Sequence, residues 1–278
     1  MRGLTGRLRR EAAVHALLLT AALSASLAVL LIAIFVTAEG WPALAALPGA
    51  EWNPEEGRFG VRALVWGSLA VTAGALLLAV PAGVGMALFL TEVAPPSLGL
   101  LMRPLLQALA GVPSVVYGFV GLQVLVPAIR ERLGGPGFSV LAGAVVLAVM
   151  ILPTIAAVAE DALRAVPAAY REGAAALGAT PWQIARRILL PAARSGLATA
   201  VVLGLGRALG ETMAVMMVTG NVAAPPRSVL DPVRTLTGNI AMEMGYAAGR
   251  HRAALFASGA LLLAMVMAVN GLARRVGR

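Results

Sequence analysis

Long apolar runs separated by short polar breaks set the pattern of this chain. Residues 12–38 lie uncharged between Glu11 and Glu39, and residues 63–91 between Arg62 and Glu92. Residues 104–129, 133–159 and 253–273 are likewise free of charge. Each run exceeds the roughly 20 residues that cross hydrocarbon at about 1.5 Å per residue. A further stretch, 195–226, is long enough but carries Arg207 and Glu211. The pattern predicts an all-α integral membrane fold of six transmembrane helices, five clean and one polar. It divides the chain into 1–60, an N-terminal tail with the first span and an outer loop, and 61–278, a transmembrane domain interrupted by a polar loop at 167–191. The first run is too long for a signal-peptide core, and no clear small-x-small site ends it before Glu39, so it is read as an uncleaved anchor.

The interruption is the most informative segment. Glu172 to Pro191 reads EGAAALGATPWQIARRILLP. Pro167 suits the first position of one short helix, and Gly178 suits its end. Thr180 suits the cap of a second, with Pro181 at its start and Gln183 at capping-box spacing. Pro191 disfavours continuation beyond it. A two-helix polar element between spans suits docking to a soluble partner.

The polar span is LATAVVLGLGRALGETMAVMMVTGN. Arg207 falls about 24 Å beyond Pro191 along a helix. An arginine at that depth costs about 2.5–3.5 kcal/mol on insertion scales, so it normally faces a partner or a wet cavity. Glu211 lies four residues on and is expected on the same helical face. Gly204, Gly206 and Gly210 would admit another backbone closely, and Thr212 and Thr219 add hydroxyls. A self-neutralised pair that only glues helices is the plain alternative. Two points favour function: Arg before Glu at i, i+4 is the poorer orientation for such a pair, and a planar guanidinium suits a tetrahedral oxyanion bidentately. Arg207 is therefore expected to contact an anion in a pathway. Glu211 is expected to position it or to accept a hydrogen bond from a protonated oxyanion.

Charge orients the chain. There is no lysine; every basic residue is arginine. With six spans, Arg2, Arg7, Arg9, Arg10, Arg103, Arg164, Arg171, Arg186, Arg187, Arg194, Arg274, Arg275 and Arg278 share one side, thirteen against eight on the other. The positive-inside rule puts both termini and the polar loop in the cytoplasm of a bacterial inner membrane. The net charge of +9 is then a basic rim facing anionic lipid, with no need of nucleic acid. Hydrophobic residues make up 59% and charged ones 13%, against about 25% in soluble domains.

Absences narrow the chemistry. The sequence has no cysteine and only His15 and His251, which disfavours a metal centre. Without lysine, the phosphate-cradling G-x-x-x-x-G-K-[ST] loop cannot occur, so ATP is not hydrolysed here by that route. No cofactor is expected. Residues 235–249 predict a short outer helix with Leu236, Ile240 and Ala247 on one face, either a gate or an ordinary surface helix. Met213, Met216 and Met217 are read as packing or lipid contacts. Residues 50–60 are read as a solvated loop without assignable chemistry, and Pro95-Pro96 as a turn.

The polar loop resembles the coupling loop of type I ATP-binding-cassette permeases, E-A-A-x-x-x-G-x9-I-x-L-P. Glu172, Ala174, Gly178, Ile188, Leu190 and Pro191 fall at the family positions, and Gly173 replaces the first alanine. Over residues 63–273, GVPSVVYGFVGL, LPTI, ALGAT, GRALGETMAVMMVTGN and RTLTGNIAMEMG are similar to the PstC family of phosphate-specific permeases. The sister PstA family typically reads GETAPL where this chain has GETMAV. The resemblance implies docking of Glu172, Gly173, Ala174, Gly178, Ala179 and Thr180 onto a separate ATPase subunit. It also implies a phosphate pathway at Arg207, Glu211 and Thr212. The implied partners are a PstA-like permease, two cytoplasmic ATPase subunits and a periplasmic or lipid-anchored phosphate-binding protein. Competing readings are a type I permease for another oxyanion or an amino acid, and a standalone channel or secondary carrier.

Overall fold

The computed structural model describes the backbone of residues 2–276 and the side chains of residues 14–271. The terminal arginines Arg2, Arg7, Arg9, Arg10, Arg274, Arg275 and Arg278, used above for orientation, have side chains outside the described residues. Helix α1 (Arg2–Gly40) leads through a 3-10 turn to a small hairpin, β1 (Trp52–Asn53) and β2 (Arg58–Phe59). Then come α2 (Arg62–Leu88), α3 (Pro96–Gly111), α4 (Ser114–Val120), α5 (Val126–Leu133) and α6 (Val140–Arg164). The polar loop holds α7 (Ala168–Ala176), α8 (Pro181–Ile184) and α9 (Leu190–Ala192). The chain closes with α10 (Arg194–Gly210), α11 (Met213–Val218), α12 (Leu236–Glu243) and α13 (Gly249–Val276).

Among the described residues, five segments are long and apolar enough to cross a membrane: Val14–Ala46, Arg62–Val93, Ser114–Leu133, Val140–Arg164 and Gly249–Gly271. A sixth is the bent pair Pro181–Ala192 and Arg194–Gly210, which turns by 73°. Two expected spans differ in detail. Residues 104–129 are not one helix, because α3 starts at Pro96 and the chain breaks at Val112-Pro113 before α4. Proline cannot donate the next helical hydrogen bond, and it pushes the residue before it into extended backbone. Pro191 does not end its helix either. A widened turn over Ala185–Leu189 precedes it, and the sharp bend comes after Ala192. A wide turn relieves the clash of a proline ring with the carbonyl four residues back.

Helix α6 is the axis of the bundle, and most of it is buried. Small residues let α2 and α10 lie against it. A Cβ on Gly83 would sit 2.8 Å from Ile155, and one on Gly204 2.7 Å from the same side chain. Near the other end of α6, a Cβ on Gly143 would meet Thr219 at 2.7 Å. The segment 194–219 therefore runs antiparallel along the whole of α6. Helix α1 exposes its leucines, valines and isoleucines and touches the bundle chiefly at α13, where Phe35 meets Phe256 edge-on at 5.6 Å.

A second core lies at the end remote from the polar loop. Trp52 and Phe59 of the hairpin pack with Leu64, Leu236, Leu255 and Ile240; the expected helix stops at Glu243, so Ala247 joins this core from the turn beyond α12 and not from its face. Residues 50–60 are thus not merely a solvated loop. They close this core, and Trp52 Nε1 donates to Glu243 Oε2 at 2.9 Å. Two aromatic residues, Trp52 and Phe59, on either side of Gly57 were the available sequence signal. Glu243 is a buried hub: its Oε1 accepts from Arg234 Nη1 at 2.8 Å, and His251 Nε2 lies 2.8 Å from Oε2. Removing one charge from such a cluster leaves the other unpaired. Glu243→Gln is expected to lower stability by about 1–3 kcal/mol, measured as an earlier thermal transition of the detergent-solubilised chain. An unchanged transition would mean that the hub is not structural.

Candidate functional site

The polar loop folds as its sequence demands. Helix α7 ends in a two-bond cap: Gly178 N–H donates to Ala175 O at 2.9 Å and Ala179 N–H to Ala174 O at 3.1 Å. That cap requires a left-handed residue, and Gly178 has φ +80°. Thr180 caps α8 reciprocally, accepting from Gln183 N–H at 3.3 Å while its own N–H donates to Gln183 Oε1 at 2.9 Å. Ala174 is buried against the main core. Glu172, Gly173, Gly178 and Thr180 are exposed, and Ala179 is half-buried. Tyr170, Leu177 and Trp182 are large apolar groups facing outward, with Leu177 91% exposed. Exposed apolar groups of this size gathered on two capped helices are the kind of surface that marks an interaction site.

Arg171, which the sequence did not single out, ties this loop to the bundle. Its Nη2 donates to Glu92 Oε1 and to Leu163 O, both at 3.0 Å, and its Nη1 to Val166 O at 3.0 Å. Glu92 sits in the widened turn after α2, and Leu163 lies in the last turn of α6. One guanidinium thus satisfies open carbonyls at the end of α6 and joins α7 to α2. Arg171→Gln is expected to loosen α7 by about 1–3 kcal/mol. The check is amide hydrogen exchange, which should quicken over Ala168–Ala176 and stay unchanged in the middle of α6. Equal exchange in α7 would count against the tie.

At the polar span, the structure corrects one expectation. Arg207 and Glu211 do not share a helical face. Helix α10 ends at Gly210, and Glu211 is extended at φ −70°, ψ 130°. Gly206 and Gly210 beside them carry no tight contact that a Cβ would meet. Glu211 Oε1 accepts from Ala214 N–H at 3.1 Å, capping α11, and Glu211 O accepts from Thr237 Oγ1 at 3.0 Å. Thr212 is the next residue of the break, and its hydroxyl returns to Gly210 O at 3.3 Å. The physical reason is local: a carboxylate two or three residues before a new helix satisfies its open N–H groups, and glycine weakens the helix that would otherwise continue.

Arg207 reaches the other way. Its Nη1 donates to Thr154 Oγ1 on α6 at 3.0 Å, and its Nη2 to Ala110 O at the end of α3 at 3.4 Å. Among the described residues no carboxylate lies within ion-pair distance of it. Thr154 and Ala110 also line an open cavity of about 430 Å³ with Arg103, Gln107, Glu160, Asp161 and Arg164. So Arg207, about 20 Å along α10, bonds two residues that line a chamber carrying charged groups, and among the described residues no carboxylate pairs with it. The described residues hold no group of His, Cys, Asp or Glu arranged for a metal.

Comparison with known proteins matches residues 79–278 to the family described as "Binding-protein-dependent transport system inner membrane component". The chain belongs to this family. Among its relatives is the probable ABC transporter permease protein YqgH of Bacillus subtilis (strain 168), 48% identical over 203 residues, 72% of this chain and 66% of that protein. Another is the phosphate transport system permease protein PstC of Mesorhizobium japonicum, 36% identical over 269 residues, 87% of this chain and 82% of that protein. The fold is shared with an inward-facing MetNI methionine ABC transporter, at TM-score 0.60 and 25% identity over 82% of this chain and 98% of that one. It is shared also with a bacterial alginate ABC transporter in complex with an alginate-bound periplasmic protein, at TM-score 0.63 and 18% identity over 94% and 95%. The all-α, multi-pass permease fold read from the sequence therefore stands. As a binding-protein-dependent permease, the chain is a transport component.

Proposed function

We infer that this chain is a membrane-spanning subunit of an ATP-driven importer that carries inorganic phosphate into the cytoplasm. The observation that carries the reading is Arg207, a guanidinium deep in the bundle whose protein partners are one hydroxyl and one carbonyl. Both partners are neutral, so the cation keeps its attraction for an oxyanion arriving in the chamber beside it. The relatives named for phosphate transport support this cargo.

Its mate is a PstA-like permease, with the pathway between the two. Two cytoplasmic ATPase subunits dock on α7 and α8 through Glu172, Gly173, Ala174, Gly178, Ala179 and Thr180 and the apolar patch beside them. A phosphate-binding protein delivers cargo to the opposite face, where the hairpin and α12 lie. Both termini and the docking loop are cytoplasmic. ATP-driven closure of the ATPases pushes α7; Arg171 passes the push to α6 and α2, and α6 carries Thr154, the anchor of Arg207. The bundles then alternate access as nearly rigid bodies. Thr212 and Glu211 shape the break that lets α11 follow α10, with Glu211 lining the path beyond Arg207.

The test is reconstitution of the chain with its mate, ATPase and binding protein in proteoliposomes, with labelled phosphate and labelled sulfate compared. ATP-dependent uptake of phosphate in excess of sulfate is expected. Preference for sulfate, or uptake without the ATPase, would overturn the reading.

A further inference from the structure

The chamber beside Arg207 has a second set of groups that the role of Arg207 does not use. Arg103 and Gln107 project from one face of α3, four residues apart, and Ala110 ends that face. Across from them, Thr154, Ala157, Glu160, Asp161 and Arg164 descend one side of α6 towards the polar loop. Glu160 is buried, and its Oε1 accepts from Arg103 Nε at 2.8 Å and Arg164 Nε at 2.9 Å. One carboxylate oxygen thus pins two guanidiniums, each by a single N–H. Among the described residues, the Nη groups of both arginines have no hydrogen-bond acceptor, and the carboxylate of Asp161 has no donor.

We propose that this chamber is a second binding station, on the inner side of Arg207, for a tetrahedral oxyanion that retains at least one O–H. The inference rests on the phosphate reading above and adds a location and a selectivity to it. The formal charges of Arg103, Arg164, Glu160 and Asp161 cancel, so the station does not simply collect anions. It offers donors on one side and a free acceptor on the other. Phosphate near neutral pH carries a P–OH that donates to Asp161 while its remaining oxygens accept from the guanidinium Nη groups. Sulfate has no proton to donate and would set its charge against an unsatisfied carboxylate, which is the stronger form of discrimination. Thr154 and Asp161 are seven residues apart, about 10 Å along α6, so cargo leaving Arg207 meets the station within one short step. Arg164 is half-exposed, and solvent keeps the site weak. A weak station suits a pathway, where cargo must leave as readily as it enters.

The experiment uses the complete transporter, solubilised without its binding protein, and labelled phosphate as probe. Arsenate and sulfate are the competitors. Phosphate is expected to bind, displaced by arsenate and not by sulfate. Arg164→Gln is expected to weaken binding about tenfold. Asp161→Asn should let sulfate compete, because an amide can donate where the carboxylate could only accept. Asp161 is exposed and Arg164 half-exposed, and a retained cooperative thermal transition will show that each variant is folded. Wild-type binding that sulfate displaces as well as arsenate does, or variants that bind like wild type, would overturn the station while leaving phosphate uptake by the reconstituted importer standing. Absence of phosphate uptake in proteoliposomes would instead overturn the cargo assignment, and the station with it.

Discussion

Arg207→Ala is expected to reduce phosphate uptake by about 30- to 700-fold, with the complex still assembled. The magnitude follows from losing about 2–4 kcal/mol of charge-assisted hydrogen bonding to the anion. The structure makes this a functional and not a folding loss. Among the described residues the Arg207 side chain hydrogen-bonds only to Thr154 Oγ1 and Ala110 O, both neutral, and Thr154 keeps its place on α6 through the helix backbone. No carboxylate among the described residues is left unpaired by the change. Arg207→Lys should recover only part of the rate, since an ammonium lacks the planar fork. The assay is uptake in proteoliposomes beside co-purification of all subunits. Normal uptake by the alanine variant would remove Arg207 from the pathway.

Leu177→Asp is expected to detach the ATPase subunits, with ATP-dependent uptake lost and the chain still folded. Leu177 is the most exposed large apolar residue of the docking loop and sits at the cap of α7, between Ala176 and the left-handed Gly178. It contributes nothing to the chain's own core, and the proposed docking of a partner would account for its exposure. An apolar anchor at the centre of an interface commonly contributes about 2–4 kcal/mol, and a buried unpaired carboxylate adds a penalty. Pull-down of the ATPase with the permease pair measures the effect. Full recovery of the ATPase with the aspartate variant would place the docking surface elsewhere on the chain.

The two segments that matter most were legible to different depths. The docking loop was readable because its structure is local. The Gly178 cap and the Thr180–Gln183 box close within a few residues, so glycine and polar spacing were enough to place both short helices, although Pro167 precedes α7 as its cap and is not its first helical residue. Pro191 misled, because the widened turn at Ala185–Leu189 lets a helix pass a proline that would break a regular one. In the polar span, the expected shared face of Arg207 and Glu211 was wrong. Helical periodicity puts residues four apart on one face only while the helix lasts, and Gly210 with the capping carboxylate of Glu211 ends it. The partners of Arg207 are 53 and 97 residues away in sequence, beyond any local pattern.

The sequence by itself determined how many times the chain can cross a membrane, where its polar loop lies and how that loop is capped, and that a deep arginine had to be answered somewhere. Hydrophobic run length and capping chemistry are properties of short windows. Only the tertiary structure decided that α6 is the axis, that Arg171 ties the polar loop to it, that Trp52 and His251 converge on Glu243, and that the two partners of Arg207 line a chamber with Arg103, Asp161 and Arg164. Those pairings depend on which helix faces lie against one another. That is fixed by the fit of small residues such as Gly83, Gly143 and Gly204 against side chains far away in sequence.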